Sequence, residues 1–429
     1  MSEIDAALND AIAGFVAKHP KGKAAQERAA KVMPGGNTRT VLFTAPFPIR
    51  AEKAQGSRIT DVDGHEYLDL LGEYSAGIYG HSHPRIQKAV AEALAAGINM
   101  GAATDREVAF AEAVTKRFSM DLVRFTNSGT EANMMALAAA RCFTRRKKIM
   151  PMEGGYHGGT LYFSHGGSPV NAPFDCVLAD FNDVEKTRAL IAKHADELAA
   201  VILEPMLGGG GCLPASPEFL AMLRAETKKR GIVLIFDEVM SSRLHPGGLS
   251  AQFGVQPDLK TLGKYIGGGM SFGAFGGKRE IMELFDPTKP DALPHAGTFN
   301  NNMLTMTAGH AGITEVFTPE ACAELNARGD RLRNNLNDLF MKYQVRMKAT
   351  GMGSMITLHP VGGEISSPAD LEKADKRLKR LLFLDLLDQG IYMAERGFMA
   401  LSLMVGDADC ARVVAGVEHF IKTRRALLV

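Results

Sequence analysis

From Leu122 to Gly277 the chain alternates short apolar runs with stretches of helical periodicity, and this alternation limits its fold more than any other feature. The apolar runs are VRFT (123–126), KKIM (147–150), CVLAD (176–180), AVILEP (200–205), Ile232 to Phe236, Leu259 to Leu262 and Phe272 to Phe275. Helical stretches over 130–143, 184–197 and 217–229 lie between them. Strands alternating with helices over about 150 residues pack as a mostly parallel sheet covered on both faces. In such a sheet ligands sit beyond the carboxyl ends of the strands. Three polar groups follow apolar runs here: Asn127-Ser128-Gly129-Thr130-Glu131, the pair Asp237-Glu238, and Gly263-Lys264. They are expected to converge on one crevice.

The rest of the chain reads as a second, smaller unit. Residues 1–33 form one or two helices, ended by the turn Pro34-Gly35-Gly36-Asn37. Residues 48–71 read as short strands with a hairpin at Asp63-Gly64. The glycine-rich loop GEYSAGIYGHSHP leads to helices over 84–96 and 105–118. Beyond the sheet come helices over 303–317, 319–343, 369–388 and 407–425, with short strands in MGSMITLHP and GFMALSL. The fold class is therefore α/β. Residues 76–325 are expected to form the large domain. Residues 1–75 and 326–429 are expected to supply a smaller α+β domain built from both termini.

Composition excludes some partners. The 49 basic and 48 acidic residues nearly cancel, which argues against nucleic acid as a partner. Five cysteines (142, 176, 212, 322 and 410) are widely spaced, odd in number and without a CxxC pair, as in a reducing compartment. The N-terminus carries acids and an amphipathic stripe rather than a secretory signal. No apolar run reaches the about 18 residues of a membrane span. The expected location is the cytoplasm, with no membrane partner and no metal.

The turn at Ser128-Gly129-Thr130 can bind an anion, because a helix start offers free N–H groups and a positive dipole end. It also fits a capping box, Ser128 with Glu131. A phosphate turn, an acid and a lysine together meet the needs of pyridoxal 5'-phosphate (PLP). That cofactor requires a phosphate cup, an amine for a Schiff base and an acid that keeps its ring nitrogen protonated. Taken singly, Lys264 also reads as a solvated loop lysine and Asp237 as a strand-end cap.

NSGTEA (127–132), GGYHG (154–158), LEP (203–205), FDEVMSSR (236–243), PDLKTLGKYIGGGMSFGAFGG (257–277) and HAGTFNNN (295–302) stand in an order that resembles the class III, fold-type I, PLP-dependent aminotransferases. Within them the chain is similar to the branch of glutamate-1-semialdehyde aminomutases and β-phenylalanine aminotransferases. The resemblance runs from about residue 30 to the C-terminus. It implies that Lys264 is the Schiff-base lysine and Asp237 the partner of the ring nitrogen. Val239 and Tyr156 would cover the two ring faces, with His157 beside Tyr156. Ser128, Gly129 and Thr130 would hold the phosphate. Thr298 would reach the phosphate of a neighbouring subunit, which implies a homodimer with sites at the subunit interface. Glu204 matches a structural acid near the site.

Both substrates of an aminotransferase usually carry carboxylates, which the guanidinium fork recognises. By the same resemblance, Arg39 would bind the carboxylate of a β-amino acid and Arg396 the α-carboxylate of 2-oxoglutarate or glutamate. Tyr74, and less strongly Tyr79, would line the donor pocket. Two departures narrow the choice. Aminomutases continue DEVM with TGFR, where this chain has Ser241-Ser242-Arg243, and they lack the second arginine. Branches acting on terminal amines carry a further glutamate where this chain has EPMLGGGG. The expected function is ping-pong transfer of the amino group of a β-amino acid to 2-oxoglutarate. The alternatives are a glutamate-1-semialdehyde aminomutase and, more distantly, a non-catalytic PLP-binding regulator.

Overall fold

The computed structural model describes residues 2–429. Its central sheet has six strands, in the order Leu122–Thr126, Gly273–Gly277, Leu259–Gly263, Val233–Asp237, Leu198–Leu203, Lys148–Met150. The last four pair in parallel, and Gly273–Gly277 runs antiparallel to both of its neighbours. The sheet is thus mostly parallel. The three inner parallel strands Leu198–Leu203, Val233–Asp237 and Leu259–Gly263 are buried along their whole length, as is Gly273–Gly277. Alternate residues feed opposite faces. Leu234 and Phe236 pack with Phe219, Leu220 and Leu223 on one side. Val233 and Ile235 pack with Ala132, Ala136 and Ala140 on the other. Burial on both faces explains why these strands read as unbroken apolar runs rather than alternating ones.

One expected strand is absent. CVLAD (176–180) makes only isolated parallel bridges, Ile149 with Cys176 and Met152 with Ala179. Pro151 is the reason: it accepts from Ala179 N–H at 3.1 Å but has no N–H to return. The ladder breaks there, and the segment stays an irregular edge. The helix expected over 369–388 is two helices, Pro368–Leu371 and Lys376–Asp388, the second capped by Asp375. The helix over 303–317 is α-helical only from Met303 to Ala311 and finishes as a π turn over Gly312–Val316.

The smaller α+β part joins both ends of the chain. Ala51–Gln55, Arg58–Asp61 and Glu66–Asp69 form a meander, and Ile391–Tyr392 adds to it in parallel, Ile391 opposite Leu68. A second sheet pairs Lys348–Met352, Met355–His359 and Phe398–Ala400. The N-terminal helix Glu3–Lys18 packs on Lys376–Asp388. The five cysteines are unpaired. Among the described residues no helix is long and apolar enough to cross a membrane.

Candidate active site

Parallel register brings the polar groups to one edge. Asp237 is the last residue of its strand and lies opposite Thr261. Lys264 immediately follows the strand Leu259–Gly263, and Glu204 follows Leu198–Leu203. The turn 127–130 follows Leu122–Thr126, whose end, Thr126, pairs with Gly273.

Asp237 is buried and heavily bonded. Its Oδ2 accepts from Asn133 Nδ2 and from His157 Nδ1, both at 2.8 Å, and its Oδ1 accepts from Val239 N–H at 3.0 Å. A carboxylate has about four acceptor positions, so one is left on Oδ1. Asn133 accepts in turn from Thr261 Oγ1 at 2.6 Å and donates to the carbonyl of His157 at 2.9 Å. His157 therefore sits behind the aspartate as a donor. The neighbouring Glu238 acts elsewhere. Its carboxylate accepts from Leu249 and Ser250 N–H and caps a short helix.

Lys264 has left-handed backbone, φ 53°, uncommon for a side-chain-bearing residue and typical of functional sites. Burial pushes its amine below the ordinary lysine range. Asp237 and Glu204 oppose that shift, and Arg39 and Arg396 reinforce it. Those five residues thus share one electrostatic site. Glu204 is also buried. Its Oε2 accepts from Tyr156 N–H at 3.0 Å and its Oε1 from Gly208 N–H at 3.1 Å. Desolvation first, then the charge of Asp237, push its carboxyl up to about 7.

At the phosphate turn, Ser128 caps the helix Gly129–Thr144 by accepting from Glu131 N–H at 3.2 Å. The Glu131 carboxylate reaches back to Asn127 N–H at 2.9 Å. The N-cap is therefore present but the reciprocal box is not, because Glu131 bonds the N–H of Asn127 rather than that of Ser128; the first N–H groups of the helix are left without intrahelical partners. Thr130 Oγ1 accepts from Gly159 N–H at 3.2 Å. Two glycines let the backbone pack closely here. A side chain at Gly129 would meet both Val239 methyls at 2.9 Å, and one at Gly158 would meet Thr130 Oγ1 at 2.2 Å. Val239 is buried, and Tyr156 is 39% exposed with its ring edge-on to Tyr162. Thr298 is exposed. It lies two residues from Asn300, whose amide oxygen accepts from Asn127 Nδ2 at 3.0 Å.

The arginines gather on one aromatic platform. The Tyr74 ring is stacked parallel to Phe398, centroids 6.1 Å apart. The guanidinium of Arg396 lies 5.2 Å from both ring centroids, and that of Arg39 lies 5.9 Å from Tyr74. Arg39 is ion-paired with Glu73. The Tyr74 hydroxyl donates to Val41 carbonyl at 2.6 Å, so this tyrosine presents its ring rather than its hydroxyl. Tyr79 is a core residue, 3% exposed, against Gly312.

The description "Aminotransferase class-III" belongs to the family model that matches residues 43–421. The chain belongs to the class-III aminotransferases. This aminotransferase is 49% identical over 426 residues to a beta-phenylalanine transaminase of Variovorax paradoxus, covering 99% of this chain and 98% of the relative. The crystal structure of a beta-phenylalanine aminotransferase from that organism superposes with a TM-score of 0.98, covering 99% of both chains at 49% identity. A glutamate-1-semialdehyde 2,1-aminomutase of Thermodesulfovibrio yellowstonii is 36% identical, covering 94% of this chain and 99% of the relative. A transaminase solved with PLP bound has a TM-score of 0.87 at 33% identity, covering 94% of this chain and 97% of the other. The protein is thus a PLP-dependent aminotransferase of fold type I.

The residues present fit that cofactor. The spare acceptor position on Asp237 suits a protonated ring nitrogen. At Gly129 and Gly158 the backbone packs too closely on Val239 and Thr130 to admit a side chain, and Lys264 would supply the amine. Three contributors escape sequence reasoning: Asn133, Glu73 and Phe398. Asn133 had a signal, since it shares a helix face with the buried Ala136, Leu137 and Ala140. A polar residue in an apolar stripe calls for a buried partner.

Proposed function

We propose that the enzyme transfers the amino group of a β-amino acid, aromatic or aliphatic, to 2-oxoglutarate by a ping-pong mechanism. One observation carries this reading: Arg39 and Arg396 flank a single aromatic platform, and both act electrostatically on Lys264. Two guanidiniums suit two carboxylate-bearing substrates that must use one site in turn. The likeness to a beta-phenylalanine transaminase over the whole chain supports the donor class.

PLP, when bound, supplies an electron sink and carries the amino group between substrates. The chain's own residues do the rest. Asp237, held by three donors, would keep the ring nitrogen protonated, so that the ring could take up the carbanionic charge that develops. Lys264 Nζ takes a proton from the carbon that bears the donor's amino group and later returns one. Its lowered proton affinity leaves more free amine for that step. Arg39 orients the β-amino acid through its carboxylate. Its bond to Glu73 is an exposed pair worth about 0–1 kcal/mol, so exchange for a substrate carboxylate costs little. Arg396 receives the α-carboxylate of the acceptor.

A homodimer belongs to the same reading. Thr298 and Phe299 are exposed beside the phosphate turn, and Ile98 and Met100 add apolar surface on the adjoining segment. A partner subunit would cover them and receive Thr298 at its own phosphate. Five unpaired cysteines suit a cytoplasmic setting. The test is a half-reaction screen of the PLP-loaded enzyme against β-, α- and ω-amino acids, each with and without 2-oxoglutarate. Conversion of β-amino acids that requires 2-oxoglutarate for turnover is expected. Isomerisation of glutamate 1-semialdehyde without an acceptor would instead support the aminomutase reading, which relatives at 36% identity keep in view.

A further inference from the structure

Arg243 is completely buried, yet no carboxylate pairs with it among the described residues. A buried cation is costly unless its donors are satisfied, and an apolar side chain would fill the same volume at lower cost. Burial lowers its guanidinium to about 10, so it remains charged at neutral pH. The identity of its acceptors shows what the charge does. Nη1 donates to the carbonyl of Ser75 at 3.3 Å, Nη2 donates to the carbonyl of Leu401, and Nε donates to Ser354 Oγ at 3.1 Å.

Each backbone acceptor belongs to a segment that carries half of the arginine platform. Ser75 ends a run of left-handed backbone that starts at Gly72 and includes three side-chain-bearing residues, Glu73 at φ 47°, Tyr74 at 51° and Ser75 at 78°. That conformation is unfavourable for side-chain-bearing residues and persists only where surroundings enforce it. Leu401 directly follows the strand Phe398–Ala400. The two segments also touch: a side chain at Gly72 would meet the carbonyl of Ala400 at 2.6 Å. Arg243 itself is anchored. Its carbonyl accepts from Asn326 Nδ2 at 2.9 Å, and Asn326 Oδ1 accepts from Ser354 N–H at 2.9 Å. Ser354 carbonyl accepts in turn from Leu401 N–H at 2.9 Å. The network closes on itself, which is the condition under which buried polar groups rigidify a structure. It begins six residues after Asp237, on the same connection from the sheet.

We propose that Arg243 is a positioning residue for substrate carboxylates, tying the Tyr74 loop and the Phe398 strand to the element that carries Asp237, so that Arg39 and Arg396 keep their spacing over the cofactor. The inference rests on the reading of Arg39 and Arg396 as carboxylate binders. It goes further by placing control of their spacing in a residue remote from both substrates.

The test compares Arg243→Met, Arg243→Lys and Ser354→Ala with Arg39→Ala and Arg396→Ala in the PLP-loaded enzyme. KM and kcat are measured for a β-amino acid, for 2-oxoglutarate and for an arylalkylamine donor that has no carboxylate. Arg243→Met should raise KM for both carboxylate substrates about tenfold or more, while kcat and the KM for the amine stay within about threefold. Arg243→Lys, which keeps the charge but lacks the fork, should fall between Met and wild type. Ser354→Ala removes a single hydroxyl, so it yields folded protein even where Arg243→Met does not, and should raise the same KM values about threefold. A lowered melting temperature with unchanged KM values in Arg243→Lys and Ser354→Ala would overturn the proposal, leaving Arg243 as a packing residue. Wild-type KM values in Arg39→Ala and Arg396→Ala would overturn the underlying reading instead.

Discussion

On the sheet side of the site, Asp237, Asn133, His157 and Thr261 are all buried and joined by bonds of 2.6 to 2.8 Å. On the arginine side, Arg39 is exposed in a weak pair with Glu73, and Arg396 rests on two rings. The first region grows from a continuous ladder of strands and one helix that packs on them. The second is assembled from residues 39, 73–75 and 396–401, segments that meet only because both termini fold back together. The contrast teaches a division of labour. A cofactor used in every turnover can be held by a rigid, densely bonded cradle. A pocket that must accept two different acids in turn is better built from groups whose bonds are cheap to exchange.

The largest effect is expected where both regions act on one atom. Lys264→Ala should lower kcat about 10⁴-fold and abolish the visible absorbance of the bound cofactor, with far-ultraviolet circular dichroism unchanged. Turnover and absorbance that persist would remove Lys264 from its role. The next effect separates the substrates. Arg396→Ala should cut kcat/KM for 2-oxoglutarate about 30- to 100-fold and affect the β-amino acid half-reaction less. Arg39→Ala should do the reverse. Equal losses in both half-reactions would erase the assignment of one arginine to each acid.

A smaller effect probes the rigid side. Asn133→Ala deprives Asp237 of a donor and Thr261 of its acceptor, which should cost about 1–3 kcal/mol of stability and weaken cofactor retention. Urea unfolding and the rate of cofactor loss on dilution measure both, and a neutral result would show that the cradle is less tightly coupled than its bonds imply. The smallest effect is on pH dependence. Glu204 has its carboxyl raised to about 7 in the fold, against an ordinary 4.5. A group raised in this way contributes stability that is complete below its unfolded value and is lost as pH rises through the folded value. Melting temperatures of wild type between about pH 5 and about pH 8 should therefore fall more steeply than those of Glu204→Gln. Parallel slopes would assign the dependence to another group.

How much of this was legible in the sequence follows the same contrast. Asp237, Lys264 and the turn at Ser128 each end or follow a buried run, so local pattern alone sends them to one sheet edge. The edge segment 176–180 misled because its apolar residues match a strand while the fault lies in Pro151, on the neighbouring segment. His157 was expected beside Tyr156 at the site, and what local pattern does not show is that its ring is buried against Asp237 while Tyr156 is partly exposed. Arg243 marked a departure from the aminomutase pattern, but nothing in the run around it indicates that Ser75 and Leu401 are its acceptors.

By itself the sequence determined the fold class and the edge at which the cofactor groups collect, because strand and helix periodicities and the apolar runs are local properties of the chain. Only the tertiary structure decided that Glu73 pairs with Arg39, that Tyr74 stacks on Phe398, and that a buried arginine joins their segments. These contacts link residues far apart along the chain. Their geometry depends on how two termini pack against one sheet, which no local periodicity records.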